Sequence, residues 1–136
     1  MNIYFAGSIR GAKAEKGLFR SLISHLSRHG KVLTEHSFDL PYSEEIQIDD
    51  REIYYRDITW LDEADLLVAE VTSPSLGVGY EIGRAESLGK PILCLYRWQE
   101  GKRLSAMING NSGLAVVTYH ELSEAFDAIN EYIGRI

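Results

Sequence analysis

The sequence predicts a doubly wound α/β fold: a five-stranded parallel sheet of flavodoxin or Rossmann-like type, strand order 2-1-3-4-5, with helices on both faces. Three observations predict it. Short β-type runs alternate with helix-length amphipathic stretches along the chain, the pattern of parallel strands joined by crossover helices. The run Leu66-Leu67-Val68-Ala69 is continuously apolar, as a strand covered on both faces must be. Strand-like runs number five, which suits an order whose ligand crevice lies at the carboxyl ends of strands one and three.

The elements follow in order. Residues 2–6 form a strand-like run that ends in Gly7-Ser8. Over residues 14–28, Leu18, Phe19, Leu22, Ile23 and Leu26 share one helical face, and Gly30 supplies a stop. Residues 31–36 read as a second strand. Residues 37–48 are polar, carry Pro41 and have no period, so they read as a loop. A helix over 49–63 places Ile53, Tyr54, Ile58 and Leu61 in a buried stripe. Residues 65–71 are the third strand, 78–88 a helix ending at Gly89, and 91–96 the fourth strand. A short helical piece falls near 103–109 and a fifth strand near 114–118. The last helix, 120–134, keeps a clear 3.6 period through Leu122, Ala125, Phe126, Ile129, Tyr132 and Ile133.

The chain has 136 residues, 45% of them hydrophobic, a size that suits one domain spanning 1–136 without disulfide or metal staples. There are 14 Lys plus Arg against 20 Asp plus Glu, a net charge of −6. That balance argues against nucleic acid or an anionic membrane as partner. No apolar run approaches the roughly 18–20 residues of a membrane span, and the N-terminus lacks the pattern of a signal peptide. A cytoplasmic protein is the expectation. The lone Cys94 excludes an internal disulfide and a cysteine-based zinc site. His25, His29, His36 and His120 have no metal-like spacing with acidic partners, so no metal site is expected.

The switch-point rule selects two loops. The first, residues 7–13, offers Gly7, Ser8, Ile9, Arg10, Gly11 and Lys13 just ahead of a helix. Its backbone N–H groups and the Arg10 guanidinium suit a phosphate, although an ordinary strand-to-helix turn has the same residues. It is neither a Walker loop nor a dinucleotide fingerprint. The second, Thr72-Ser73-Pro74-Ser75-Leu76-Gly77-Val78-Gly79, again sets hydroxyls and glycines before a helix. In a helix beginning at Val78, Glu81 lies beside the apolar face in the first turn, where the macrodipole favours an anion. Asp57 stands at plus four from Ile53 and minus four from Leu61, inside an inward stripe, and must be paired, hydrogen-bonded or protonated there. Arg56 or Arg51 is the structural partner available, and proton transfer the functional alternative. Tyr4 at the end of the first strand faces the same crevice or simply packs in the core, and His36 past the second strand lines the pocket or is a surface turn residue. Two inward carboxyl groups beside two anion-binding turns suit cleavage of a glycosidic bond in a phosphorylated substrate.

The runs Tyr4-Phe5-Ala6-Gly7-Ser8-Ile9-Arg10-Gly11, Val32-Leu33-Thr34-Glu35-His36, Ala69-Glu70-Val71-Thr72-Ser73-Pro74-Ser75-Leu76-Gly77-Val78-Gly79-Tyr80-Glu81-Ile82-Gly83-Arg84-Ala85 and Leu104-Ser105-Ala106-Met107-Ile108 resemble the 2′-deoxynucleoside 5′-monophosphate N-glycosidases of Rcl type, within the nucleoside 2-deoxyribosyltransferase-like group. The resemblance weakens over 37–50 and in the C-terminal segment. It implies a homodimer with shared active sites that hydrolyses deoxynucleoside monophosphates to free base and deoxyribose 5-phosphate, without metal or organic cofactor. It also implies Glu81 as nucleophile, Asp57 as second catalytic carboxylate and Tyr4 as a positioning residue. Ser8, Arg10, Gly11, Ser75 and Gly77 then match the phosphate and sugar site, and His36 the base pocket. Ser105 matches a serine that reaches the phosphate from the partner subunit, with Met107 on the same segment. Ala6 and Ala12 stand where the family pattern has Cys and Gly, which bears on base preference. A deoxyribosyltransferase, a ribonucleotide N-hydrolase and a non-catalytic nucleotide sensor are the competing readings.

Overall fold

The computed structural model describes residues 1–9, 15–38 and 47–136. Five parallel strands form one sheet, β1 (Asn2–Ala6), β2 (Lys31–Val32), β3 (Leu66–Glu70), β4 (Ile92–Arg97) and β5 (Ala115–Tyr119), in the order β2-β1-β3-β4-β5. The helices are α1 (Glu15–Leu26), α2 (Asp50–Glu63), α3 (Leu76–Ser87), α4 (Ala106–Asn109) and α5 (Leu122–Arg135). The central strands run in register, Phe5 beside Val68, Ala69 beside Cys94 and Tyr96 beside Thr118. The fold class, strand order and helical cover are those the sequence predicts.

Strand alternation sorts the core into two halves. Tyr4, Ala6, Leu67, Ala69, Cys94 and Tyr96 point to one face, where Leu61 of α2 and Val78, Ile82 and Ala85 of α3 close over them. Ile3, Phe5, Leu66, Val68, Leu93, Leu95 and Tyr119 point to the other, under Phe19, Leu22, Ile23 and Leu26 of α1 and Ala125 and Ile129 of α5. Cys94 is completely buried; burial pushes its thiol up to about 12, which leaves it an unreactive core residue.

Three expectations need correction. Strand β2 stops at Val32 rather than His36, and Glu35–Phe38 turns into a 3-10 helix. Pairing with β1 nevertheless continues by a side chain. The Phe5 N–H donates to Thr34 Oγ1 at 3.1 Å, and the Thr34 hydroxyl donates to the Phe5 carbonyl at 2.7 Å. One hydroxyl thus replaces a ladder rung and frees the chain to turn. The predicted loop from residue 37 therefore begins inside that 3-10 turn, and residues 39–46 lie outside the described ones. On α2, Tyr54 is 41% exposed rather than part of the buried stripe, because its hydroxyl reaches across to Tyr80 at 3.2 Å.

Gly7 is required by close packing. A Cβ there would meet the buried Phe19 ring at 2.9 Å, and Phe19 is held edge-on by Phe5 and Phe38. Replacing Thr34 by Val should keep the shape but leave both Phe5 backbone groups unpaired. The expected loss is about 1–3 kcal/mol, read by urea denaturation; an unchanged midpoint would show that the hydroxyl does not carry the ladder.

Candidate active site

The carboxyl edge of β1 and the N-terminal half of α3 bring three sequence-selected residues together. Tyr4 lies on β1, pointing to the α2 and α3 face, and is 1% exposed. Its hydroxyl lies close enough to the Glu81 carboxyl to favour the charged form of that group. Asp57, half-buried on α2, is near enough for its charge to act on both. Arg56 Nε donates to Asp57 Oδ1 at 3.0 Å, and the Arg56 guanidinium lies 5.0 Å from the centre of the Trp60 ring. The paired-Asp reading of the sequence is thus realised, with Arg56 as the partner.

Helix α3 begins at Leu76, two residues earlier than predicted, because Ser75 caps it: Ser75 Oγ accepts the Val78 N–H at 3.3 Å. Glu81 is therefore in the second turn, past the reach of most of the helix dipole. Its electrostatics differ accordingly from the sequence expectation. Burial pushes the Glu81 carboxyl up to about 7; the Tyr4 hydroxyl opposes this, and the charge of Asp57 adds to it. Burial also drives the Tyr4 phenol far above its usual range, with Glu81 and Asp57 adding to the effect. Tyr4 is accordingly a neutral donor at any physiological pH.

Gly77 and Ser75 frame the same niche. A Cβ built at Gly77 would stand 3.8 Å from Glu81 Oε1 and 3.9 Å from Ser75 Oγ. The turn, its hydroxyl and the carboxyl group thus open on one small space. Gly7 is buried at the end of β1, and Ser8 and Ile9 are half-buried beyond it. Arg10 and Gly11 lie outside the described residues. His36 is exposed on the 3-10 turn.

Ser105 and Met107 lie elsewhere. Ser105 is the exposed cap of α4, its Oγ accepting the Met107 N–H at 3.3 Å, and Met107 is 81% exposed. They line a cleft of about 520 Å³ with Ser75, Leu76, Gly79, Gly83 and Glu86. At 3.6 residues per turn, Gly79, Gly83 and Glu86 occupy one flank of the buried stripe of α3 and Glu81 the other. Within one chain, α3 separates Ser105 from Glu81.

Sequence reasoning missed Glu70 and Tyr119. Glu70 is 2% exposed at the end of β3, and Tyr119 donates to its Oε2. The available signal was a carboxylate closing an otherwise apolar strand. Among the described residues, no three His, Cys, Asp or Glu side chains are grouped to hold a metal ion. His25 and His29 instead contact Asn130 Oδ1 at 2.8 and 2.9 Å, joining α1 to α5. No helix among the described residues is long and apolar enough to cross a membrane.

Fold and site define a doubly wound α/β protein with a tyrosine and two carboxyl groups at its topological switch point. The nucleoside 2-deoxyribosyltransferase family matches residues 3–117, and the chain belongs to that family. Among curated relatives, the 5-hydroxymethyl-dUMP N-hydrolase of Mus musculus is 56% identical over 112 residues, which cover 80% of this chain and 65% of the mouse protein. The protein of the same name from Danio rerio is 47% identical over 136 residues, covering 97% of this chain and 95% of the fish protein. A solved structure, the CMP N-glycosidase of Clostridium botulinum, has the same fold at TM-score 0.70 and 20% identity, over 97% of this chain and 99% of that one.

The Glu81 carboxyl binds its proton more tightly when folded than when unfolded, where it has an ordinary value near 4.5. Its contribution to stability is therefore full below that value and is lost as pH rises through about 7. Glu81→Gln should leave stability near wild type at pH 4 and raise it by on the order of 2 kcal/mol at pH 8. Thermal melts at the two pH values check this; an equal effect at both would refute the buried-acid description.

Proposed function

We propose that the protein is a hydrolase that cleaves the N-glycosidic bond of 2′-deoxynucleoside 5′-monophosphates, releasing the free base and 2-deoxyribose 5-phosphate. The observation that carries the reading is the Glu81 carboxyl, in contact with Tyr4, beside Asp57 and beneath the Ser75–Gly77 turn. The names of the mouse and zebrafish relatives support this substrate class. Glu81 attacks the anomeric carbon as the bond to the base breaks, and Asp57 protonates the departing base. Asp57 then takes a proton from water, whose oxygen displaces Glu81, so the sugar leaves with retained configuration.

This sequence needs charge on Glu81 and a proton on Asp57. Arg56 beside Asp57 favours its carboxylate, whereas burial favours protonated Glu81. Substrate binding supplies the bias that puts the proton on Asp57. Tyr4 stays neutral and holds the Glu81 carboxyl in line. The phosphate lies on the two turns, with Ser8, Arg10, Gly11, Ser75 and Gly77 supplying N–H, hydroxyl and guanidinium donors. Gly7 and Ile9 shape the first turn, and His36 borders the base. No metal or organic cofactor takes part.

The active protein is a cytoplasmic homodimer of 136-residue domains. Ser105 and Met107 lie across α3 from their own Glu81, which suits reaching the phosphate in a second copy. Ser105→Asp keeps a capping oxygen for α4 and places a negative charge against that phosphate. Glu81→Ala and Ser105→Asp should each be inactive alone. Mixed and allowed to exchange subunits, they should regain roughly a quarter of wild-type activity, because half the dimers then carry one intact site. No recovery despite exchange would remove the shared site.

Product analysis on a panel of deoxy- and ribonucleoside monophosphates tests the reaction. The expected products are free base and deoxyribose 5-phosphate, with turnover in Glu81→Ala down by about 10³-fold or more while nucleotide still binds. Equal turnover of the ribonucleotides would defeat the deoxy assignment. A new deoxynucleotide on adding a second base would assign a transferase instead, and full activity of Glu81→Ala would overturn the nucleophile.

A further inference from the structure

Glu70 is a nearly fully buried carboxylate on the face of the sheet opposite Tyr4. Along β3, Leu67, Ala69 and Val71 share the face of Tyr4, whereas Leu66 and Val68 share that of Phe5 and Tyr119; alternation puts Glu70 with the second set. It therefore does not face the Tyr4, Asp57 and Glu81 niche. Burying a carboxylate is costly unless its oxygens are satisfied, and here three donors converge on it. Oε1 accepts the Thr72 N–H at 2.8 Å, and Oε2 accepts the Thr72 hydroxyl at 3.0 Å and the Tyr119 hydroxyl.

The direction of these bonds is fixed. The Arg97 N–H donates to Thr72 Oγ1 at 2.9 Å, so the Thr72 hydroxyl proton is free to point at Glu70. The carboxylate, at the end of β3, thus joins β4 through Thr72 and β5 through Tyr119. Thr72 opens the turn that reaches Ser75, and Ser75 caps α3 and flanks Gly77 and Glu81.

We propose that Glu70 is a positioning residue for the nucleotide phosphate, acting through Thr72 on the Ser75–Gly77 turn; this rests on the hydrolase reading above. A carboxylate fits the task better than an amide. Glutamine would turn an N–H₂ toward either the Thr72 N–H, where two donors meet, or the two hydroxyls, where Thr72 loses its acceptor. In either orientation one of the two Thr72 bonds to the side chain is lost or must reverse its direction.

Steady-state kinetics on a deoxynucleoside monophosphate, for wild type, Glu70→Gln, Thr72→Val and Tyr119→Phe, tests the assignment. Thr72→Val removes only the hydroxyl of a half-buried residue, so it serves if Glu70→Gln does not fold. The expected result is a KM raised about tenfold or more in Glu70→Gln and Thr72→Val, with kcat within about threefold of wild type. Tyr119→Phe, which leaves both Thr72 bonds in place, should keep a KM close to wild type. An unchanged KM in Thr72→Val would overturn the proposal, as would a fall in kcat at constant KM. Failure of the hydrolase reading is distinguishable, because wild type itself would then release no base.

Discussion

One contact, of a strand tyrosine hydroxyl with a helix carboxyl, sets the character of the candidate site. Tyr4 is placed by the sheet and Glu81 by α3, and their contact joins the two layers at the switch point. Burial and the tyrosine hydroxyl pull the Glu81 proton in opposite directions. Burial wins, and the group titrates near neutrality. A fully solvated glutamate would be charged but strongly hydrated, and a fully dry one would stay protonated. The half-buried niche holds charge and proton close to balance, which is the condition acid and base chemistry requires.

The sheet separates two tasks that both use carboxylates. On the α2 and α3 face, Asp57 and Glu81 are half-buried. On the α1 and α5 face, Glu70 is enclosed and saturated by donors. The two settings arise because the pleat turns successive strand side chains to opposite faces. Thr72, which follows the strand, links the two.

The fold was legible because its signals are periodic and long. Leu66 to Ala69 announce a covered strand, and Leu122 to Ile133 an amphipathic helix. Short-range competition was not legible. Nothing in Thr34 alone says that its hydroxyl will replace a strand rung, so β2 was read too long. Ser75 capping moved the start of α3 and with it the field at Glu81. Asp57 and Glu81 stand out in the sequence because each interrupts the apolar pattern around it, and Tyr4 because it falls at the crevice. Glu70 breaks its strand's pattern as sharply, but its partner Tyr119 is 49 positions away, a pairing that only the closed sheet creates.

The central claim is that Glu81 occupies a niche where its proton is held near neutrality by burial and by Asp57. Carbon-13 titration of the glutamate side-chain carboxyls, with Glu81→Gln to assign the resonance, measures this directly. The account predicts a midpoint of about 7 for Glu81, moving down when Asp57 is replaced by Asn. A midpoint in the ordinary carboxylate range near 4.5, unaffected by Asp57→Asn, would contradict it.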